Sequence, residues 1–216
     1  MLAEEFGYQV TSRPAAELTA TVRPETERAL EAAKAALAAV TFGYAGPTFF
    51  FIVCFIYASV KDSSTPFLIG VLGVILAIIW NTAATRPEKA AIVELEEKIP
   101  AVLASPWQAW PCRVEAIPGQ QTKRLLLLDP DGGVAREFHS AIPDAVWIGM
   151  TDGRALIWFA GDMRFGGLAS LPGGSPIWWV YMPKATSQPA PSGPRQRLIE
   201  EELTRQAVTY VFDEWL

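Results

Sequence analysis

The side chains able to do chemistry are few and scattered. The chain of 216 residues holds two cysteines and one histidine. Cys54 stands inside an apolar run and Cys112 lies far from it, so neither a disulfide between them nor a disulfide framework is expected. A zinc site takes about four ligands of the Cys/His type, and Cys54, Cys112 and His139 do not supply them at any usual spacing. Asp129-Pro130-Asp131-Gly132 has the opening of a calcium loop but lacks the remaining ligands, above all the bidentate Glu, and is expected to be a turn. Gly161-Asp162-Met163-Arg164-Phe165-Gly166-Gly167 is glycine-rich, without the Lys-Ser/Thr of a phosphate-binding loop or a helix to follow. Asp162 and Arg164 are placed to pair across a bulge. His139, Ser140 and Asp144 bring triad residue types close in sequence, with no nucleophile elbow. No catalytic residue, metal site or cofactor is expected, and the chain does not read as an enzyme.

The elements that would position these residues fall into two textures. The net charge is −5, which excludes a general nucleic-acid binder with a basic face. Residues 42–84 are almost free of charge. Two apolar runs lie there, Thr41–Val60 and Pro66–Thr85, each about twenty residues and so roughly 30 Å long as helices. Neither holds Asp, Glu, Lys, Arg or His, and neither shows the polar stripe of a soluble helix. The expectation is a pair of transmembrane helices at 41–60 and 66–85, joined by the polar Lys61-Asp62-Ser63-Ser64-Thr65. Arg28 and Lys34 before the pair, and Arg86, Lys89 and Lys98 after it, place both termini in the cytoplasm by the positive-inside rule. Tyr44, Tyr57 and Trp80 fall near the expected interfaces.

Pro24 followed by Glu25 and Glu27, and Arg86-Pro87-Glu88, are helix starts. They predict cytoplasmic helical extensions of the hairpin, so that residues 24–104 form one unit behind a tail at 1–23. From Trp107 short apolar segments alternate with turn signals, predicting a β-rich domain over 107–182. Its strands are expected at Cys112–Ile117, Arg124–Leu128, Val134–His139, Ala145–Met150, Arg154–Ala160, Gly167–Leu171 and Ile177–Met182. Asp152-Gly153 is expected to join the fourth and fifth as a hairpin. A Pro/Ser/Ala linker spans 183–194, and an amphipathic helix follows at 195–216.

The whole is an α+β membrane protein: a transmembrane hairpin, a small antiparallel β-barrel or sandwich, and a C-terminal helix. The tryptophans of the strands are read as core. Adjacent strand residues face opposite ways, so one of Trp178 and Trp179 is expected to be exposed and available for interaction. Ile199, Leu203 and Tyr210, with Ala207, form the stripe of the last helix and are expected to meet a protein surface. With LLLLDPDGGVAREF and LIWFAGDMRFGG, the chain resembles uncharacterised integral membrane proteins of high-GC actinobacteria, and a membrane hairpin followed by a small β-barrel is similar in plan to NfeD-type proteins. The expected function is a membrane-anchored interaction or scaffold protein. Its expected partners are the lipid bilayer and a protein or further copies of itself, with no nucleic acid. An oligomeric pore subunit is the second expectation and a membrane-bound enzyme the third.

Overall fold

The computed structural model describes residues 3–60, 64–183, 193–209 and 212, and along the two long helices it gives no account of the side chains at 44–48, 51, 55, 58–60, 64–71, 74 and 77. In chain order the elements are a 3-10 turn at Ala3–Phe6, β1 (Val10–Pro14), α1 (Ala15–Leu18), α2 (Val22–Val60), α3 (Ser64–Ala104), β2 (Pro106–Ala116), β3 (Lys123–Leu128), β4 (Val134–Ser140), α4 (Asp144–Gly149), β5 (Arg154–Asp162), β6 (Gly166–Ser170), β7 (Ile177–Tyr181) and α5 (Pro194–Thr209). They divide into two units, one of Met1–Thr26 with Lys98–Leu216 and one of Glu27–Glu97.

The first unit is an antiparallel β-barrel. The strand order β2-β3-β4-β7-β6-β5 is closed by a second pairing of β2, with β5. β2 serves two neighbours because it is long: Gln108–Arg113 pair with β5 and Cys112–Ala116 with β3. Closure leaves these six strands no free edge. Every second residue points inward. Cys112 and Val114, Leu125 and Leu127, Phe138, Ile157 and Phe159 fill the core, and Phe138 stacks on Phe159 with ring centroids 5.5 Å apart.

Residues 3–22 belong to this unit rather than forming a tail. β1 pairs antiparallel with β2, Val10 opposite Gln108, and Ala3 and Tyr8 enter the core. Thr11 Oγ1 accepts from the Trp107 amide at 2.9 Å, and Trp107 Nε1 donates to Thr19 Oγ1 at 2.9 Å. The expected strand at Ala145–Met150 is instead α4. Pro143 precedes it with an acidic residue in the first turn, the ordinary start of a helix. Val146 is its one buried residue, and the next buried apolar side chain is Met150, just past its end and four positions on, a helical and not an alternating period. Asp152 and Gly153 both have positive φ and make a tight turn between Thr151 and Arg154. It leads into β5 from a helix.

The second unit consists of parts of α2 and α3. Each helix runs unbroken through what the sequence suggested were separate elements. α2 passes Pro47, and α3 passes Pro100 and also Pro87, where a new helix was expected to start. The expectation of two transmembrane helices is corrected here, and with it the integral-membrane character, the multi-pass location with cytoplasmic termini, and the likeness to actinobacterial membrane proteins. Among the described residues no helix is long and apolar enough to cross a membrane. The apolar runs are the C-terminal part of α2 and the N-terminal part of α3, and the rest of each helix carries charge, from Arg23 to Lys34 in α2 and from Arg86 to Lys98 in α3. Of the expected connecting loop, Lys61, Asp62 and Ser63 lie outside the described residues.

Candidate functional site

The strand alternation that fills the core sends the opposite set of side chains to the outer face of the barrel, and there they form a ladder of charge. Arg113 on β2 lies opposite Arg154 on β5. Glu115, two residues on, lies opposite Arg124 on β3, which lies opposite His139 on β4. Like charges directly opposite one another destabilise a strand pair, so the two arginines require an anion, and α5 supplies it. Arg154 Nε donates to Glu200 Oε1 at 2.8 Å, and Arg113 Nη1 stands 3.6 Å from the same oxygen.

From Arg113 the ladder continues across the sheet. Its Nε is 3.2 Å from Glu115 Oε1, and Glu115 Oε2 is 3.0 Å from Arg124 Nη1. Arg124 Nε is 3.0 Å from Glu137 Oε1, with His139 Nε2 3.6 Å from that oxygen. The Arg113, Arg154 and Glu200 side chains are each less than a tenth exposed. A charge held that far from water persists only when paired, so the position of α5 is tied to the arginine pair.

Beside the pair opens a cavity of about 620 Å³, walled by Arg113, Glu115, Trp147, Asp152, Arg154 and Gln196. Gln196, in the first turn of α5, donates through Nε2 to Asp152 Oδ2 at 2.9 Å. Arg154 Nη1 donates to the Asp152 carbonyl at 2.7 Å. Lys123 Nζ sits 5.6 Å from the centre of the Trp147 ring. A second cavity, of about 390 Å³, runs along α5 and is lined by Arg154, Leu198, Ile199, Leu203 and Gln206 among others. Arg154 therefore borders both spaces. Among the described residues no three His, Cys, Asp or Glu side chains gather as a metal site would require.

Compared with known families, with curated proteins and with solved structures, the chain matches none.

The residues singled out in the sequence divide sharply. Trp178 is a core residue and Trp179, on the other side of β7, stacks on Tyr181 at 6.3 Å. Only 4% and 9% of these tryptophans is exposed, so neither offers the open aromatic face that was expected. Leu203 packs against the core and Ala207 is buried within it. Ile199 is half-buried, and Tyr210 lies outside the described residues. Glu200 was the residue missed. It belongs to an acidic run whose apparent role was to start a helix, yet 200, 203 and 207 share one helix face, and that spacing was the available signal. Asp162 and Arg164 do pair, Arg164 Nη2 lying 2.7 Å from Asp162 Oδ2, and this hydrogen bond holds the Asp162 carboxyl below the usual carboxylate range. Asp129 closes its turn by accepting from the amides of Asp131 and Gly133 at 2.9 and 2.7 Å.

Two buried groups weaken the fold as the pH becomes alkaline. Burial pushes the Cys112 thiol up from 9.0 to about 12 and the Tyr8 hydroxyl up from 10.0 to about 12. Both are neutral in the folded barrel. Their contribution to stability is complete below the pKa of the unfolded chain. It falls as pH rises from about 9 for Cys112, and from about 10 for Tyr8, toward about 12. A Cys54→Ser chain is expected to resist alkylation at about pH 8 until denaturant is added, since the thiolate is the reactive species. Labelling of Cys112 in the folded chain at that pH would show that its site is open.

Proposed function

We propose that this protein is a non-catalytic interaction or scaffold protein, in which a β-barrel is linked to a helical arm that binds further copies of the chain. The observation that carries this reading is the exposure of large apolar side chains along both long helices. Phe42 is 84% exposed, Phe49 68%, Leu72 59% and Trp80 66%, with Ile56, Tyr57, Leu76 and Ile79 also open. Monomeric soluble proteins rarely leave more than a few hundred Å² of contiguous apolar surface uncovered. A helix that is apolar all round is a buried helix, so the arm needs cover on more than one side. Copies of the same arm meet that need, because each brings an identical surface and a closed symmetric assembly provides several neighbours.

The full chain is expected to give a discrete oligomer by light scattering and cross-linking, and Phe49→Asp with Leu76→Asp is expected to return it to a monomer. Phosphatidylcholine vesicles supply the opposing outcome. A chain that stays monomeric at all concentrations and floats with the vesicles has its apolar stretch covered by lipid, and self-association is then refuted.

A further inference from the structure

We infer that the Arg113–Arg154 pair is a binding site for a small oxyanion, a carboxylate or a phosphate, and that Glu200 is its built-in occupant, which makes α5 a latch over the neighbouring cavity. This inference is independent of the helical arm and uses only the barrel unit.

The register supplies the first reason. Two arginines directly opposite on adjacent strands are an arrangement that the sheet alone disfavours. Their guanidinium forks are the donor geometry that carboxylates and phosphates accept. Both are buried, and both reach the same carboxylate oxygen. The second reason is where that carboxylate comes from. Glu200 is no strand neighbour. It arrives on α5, an element outside the sheet that packs against β2 and β5.

The third reason is the space beside the pair. The cavity of about 620 Å³ is bordered by Arg113 and Arg154 and closed on one side by α5 through Gln196. A ligand that placed an oxyanion between the arginines would displace Glu200. Its remaining atoms would lie against Trp147 and Met150. The Gln196–Asp152 hydrogen bond, which closes the first turn of α5 onto the barrel, would then be the next contact to release. The far end of α5 is held separately. Gln9 donates from its amide to the Ala207 carbonyl at 3.1 Å and from Nε2 to the Val208 carbonyl at 2.8 Å. The latch therefore opens from the Gln196 end and pivots at residues 207 and 208.

The test uses the full chain and inorganic phosphate, with chloride at matched ionic strength as the control. In the wild-type chain, phosphate is expected to lower the hydrogen-exchange protection of residues 194–203 and to leave the strand amides unchanged, while chloride has no effect. Glu200→Ala removes the carboxylate that both arginines share, leaving Glu115 beside Arg113 and Asp152 beside Arg154, and is expected to bind phosphate roughly tenfold more tightly than the wild type. Arg154→Gln added to that variant should abolish the gain. If Glu200→Ala is folded and binds phosphate no better, or if the gain survives loss of Arg154, the site is not an oxyanion site. Should Glu200→Ala fail to fold, the wild-type exchange measurement decides. Protection over 194–203 that phosphate and chloride leave equally intact refutes the latch.

Discussion

Substituting alanine for Gly167 is expected to abolish the folded barrel. On β5 and β6, Gly161 lies opposite Gly167. A Cβ at Gly167 would overlap the Ala160 carbonyl oxygen and stand 2.9 Å from the Gly161 Cα. Both obstacles are backbone, held in register by the strand pairing, so neither moves aside without parting the strands. Overpacking of a flexible core costs about 1–3 kcal/mol. A rigid backbone clash in a closed barrel belongs above roughly 4 kcal/mol, a large part of the stability of a domain this size. Gly132→Ala is the informative companion. It has φ +79 but nothing within 4 Å of the added atom, so its cost is backbone strain of about 1–2 kcal/mol. The measurement is thermal unfolding of both variants by circular dichroism. A Gly167→Ala chain that melts near the wild type would mean that the hairpin does not close as described.

Most of the barrel was legible because its turns are local. Asp129 through Gly133, Met163 through Phe165 and Pro172-Gly173-Gly174 each sit between strands that are consecutive in sequence. β3 to β7 therefore fall close to where their alternation and turn residues put them, apart from the segment at 145–150. That segment failed because six residues cannot show whether apolar side chains recur every two or every four positions, and Pro143 was the stronger signal. The pairing that closes the barrel was not legible. β2 joins β5 across about forty residues, and nothing in either strand names the other.

The N-terminal segment was missed for the same reason at greater range. Val10 meets Gln108, and the residues that bind the segment to the core, Ala3 and Tyr8, are too few to form a pattern. The long helices present a different case. Their uncharged stretches are plain in the sequence, but their continuity through Pro47, Pro87 and Pro100 is not, because a proline in a helical pattern usually reads as a break. Of the candidate site, the individual charges were visible while their convergence was not. It depends on the register of four strands and on the docking of a helix whose start looked sufficient to explain its glutamates.

The N-terminal segment yields the other large effect, since the sequence suggested a tail at 1–23 apart from the β-domain. Tyr8 is 2% exposed. Its ring lies 5.1 Å from that of Trp110 in an edge-on arrangement, and its hydroxyl donates to the Leu128 carbonyl at 3.1 Å. Gln9 beside it is a two-sided link, its carbonyl accepting from the Ala109 amide of β2 at 3.0 Å while its own amide donates to α5. Tyr8→Ala removes a buried aromatic ring from between Phe6, Trp110 and the strands, a change that costs about 3–5 kcal/mol in a packed core. Tyr8→Phe removes only the hydroxyl and should cost about 1 kcal/mol, which separates packing from hydrogen bonding. A chain beginning at residue 98 lacks the whole segment. It is expected to be unfolded or molten, with α5 unprotected against hydrogen exchange, and a synthetic peptide of residues 1–22 added in trans should restore protection in β2 and α5. If residues 98–216 alone melt cooperatively at the temperature of the full-length barrel, the segment is an attachment to a self-sufficient fold, and the loss expected for Tyr8→Ala should shrink to that of a surface substitution, within about 0.5 kcal/mol of zero.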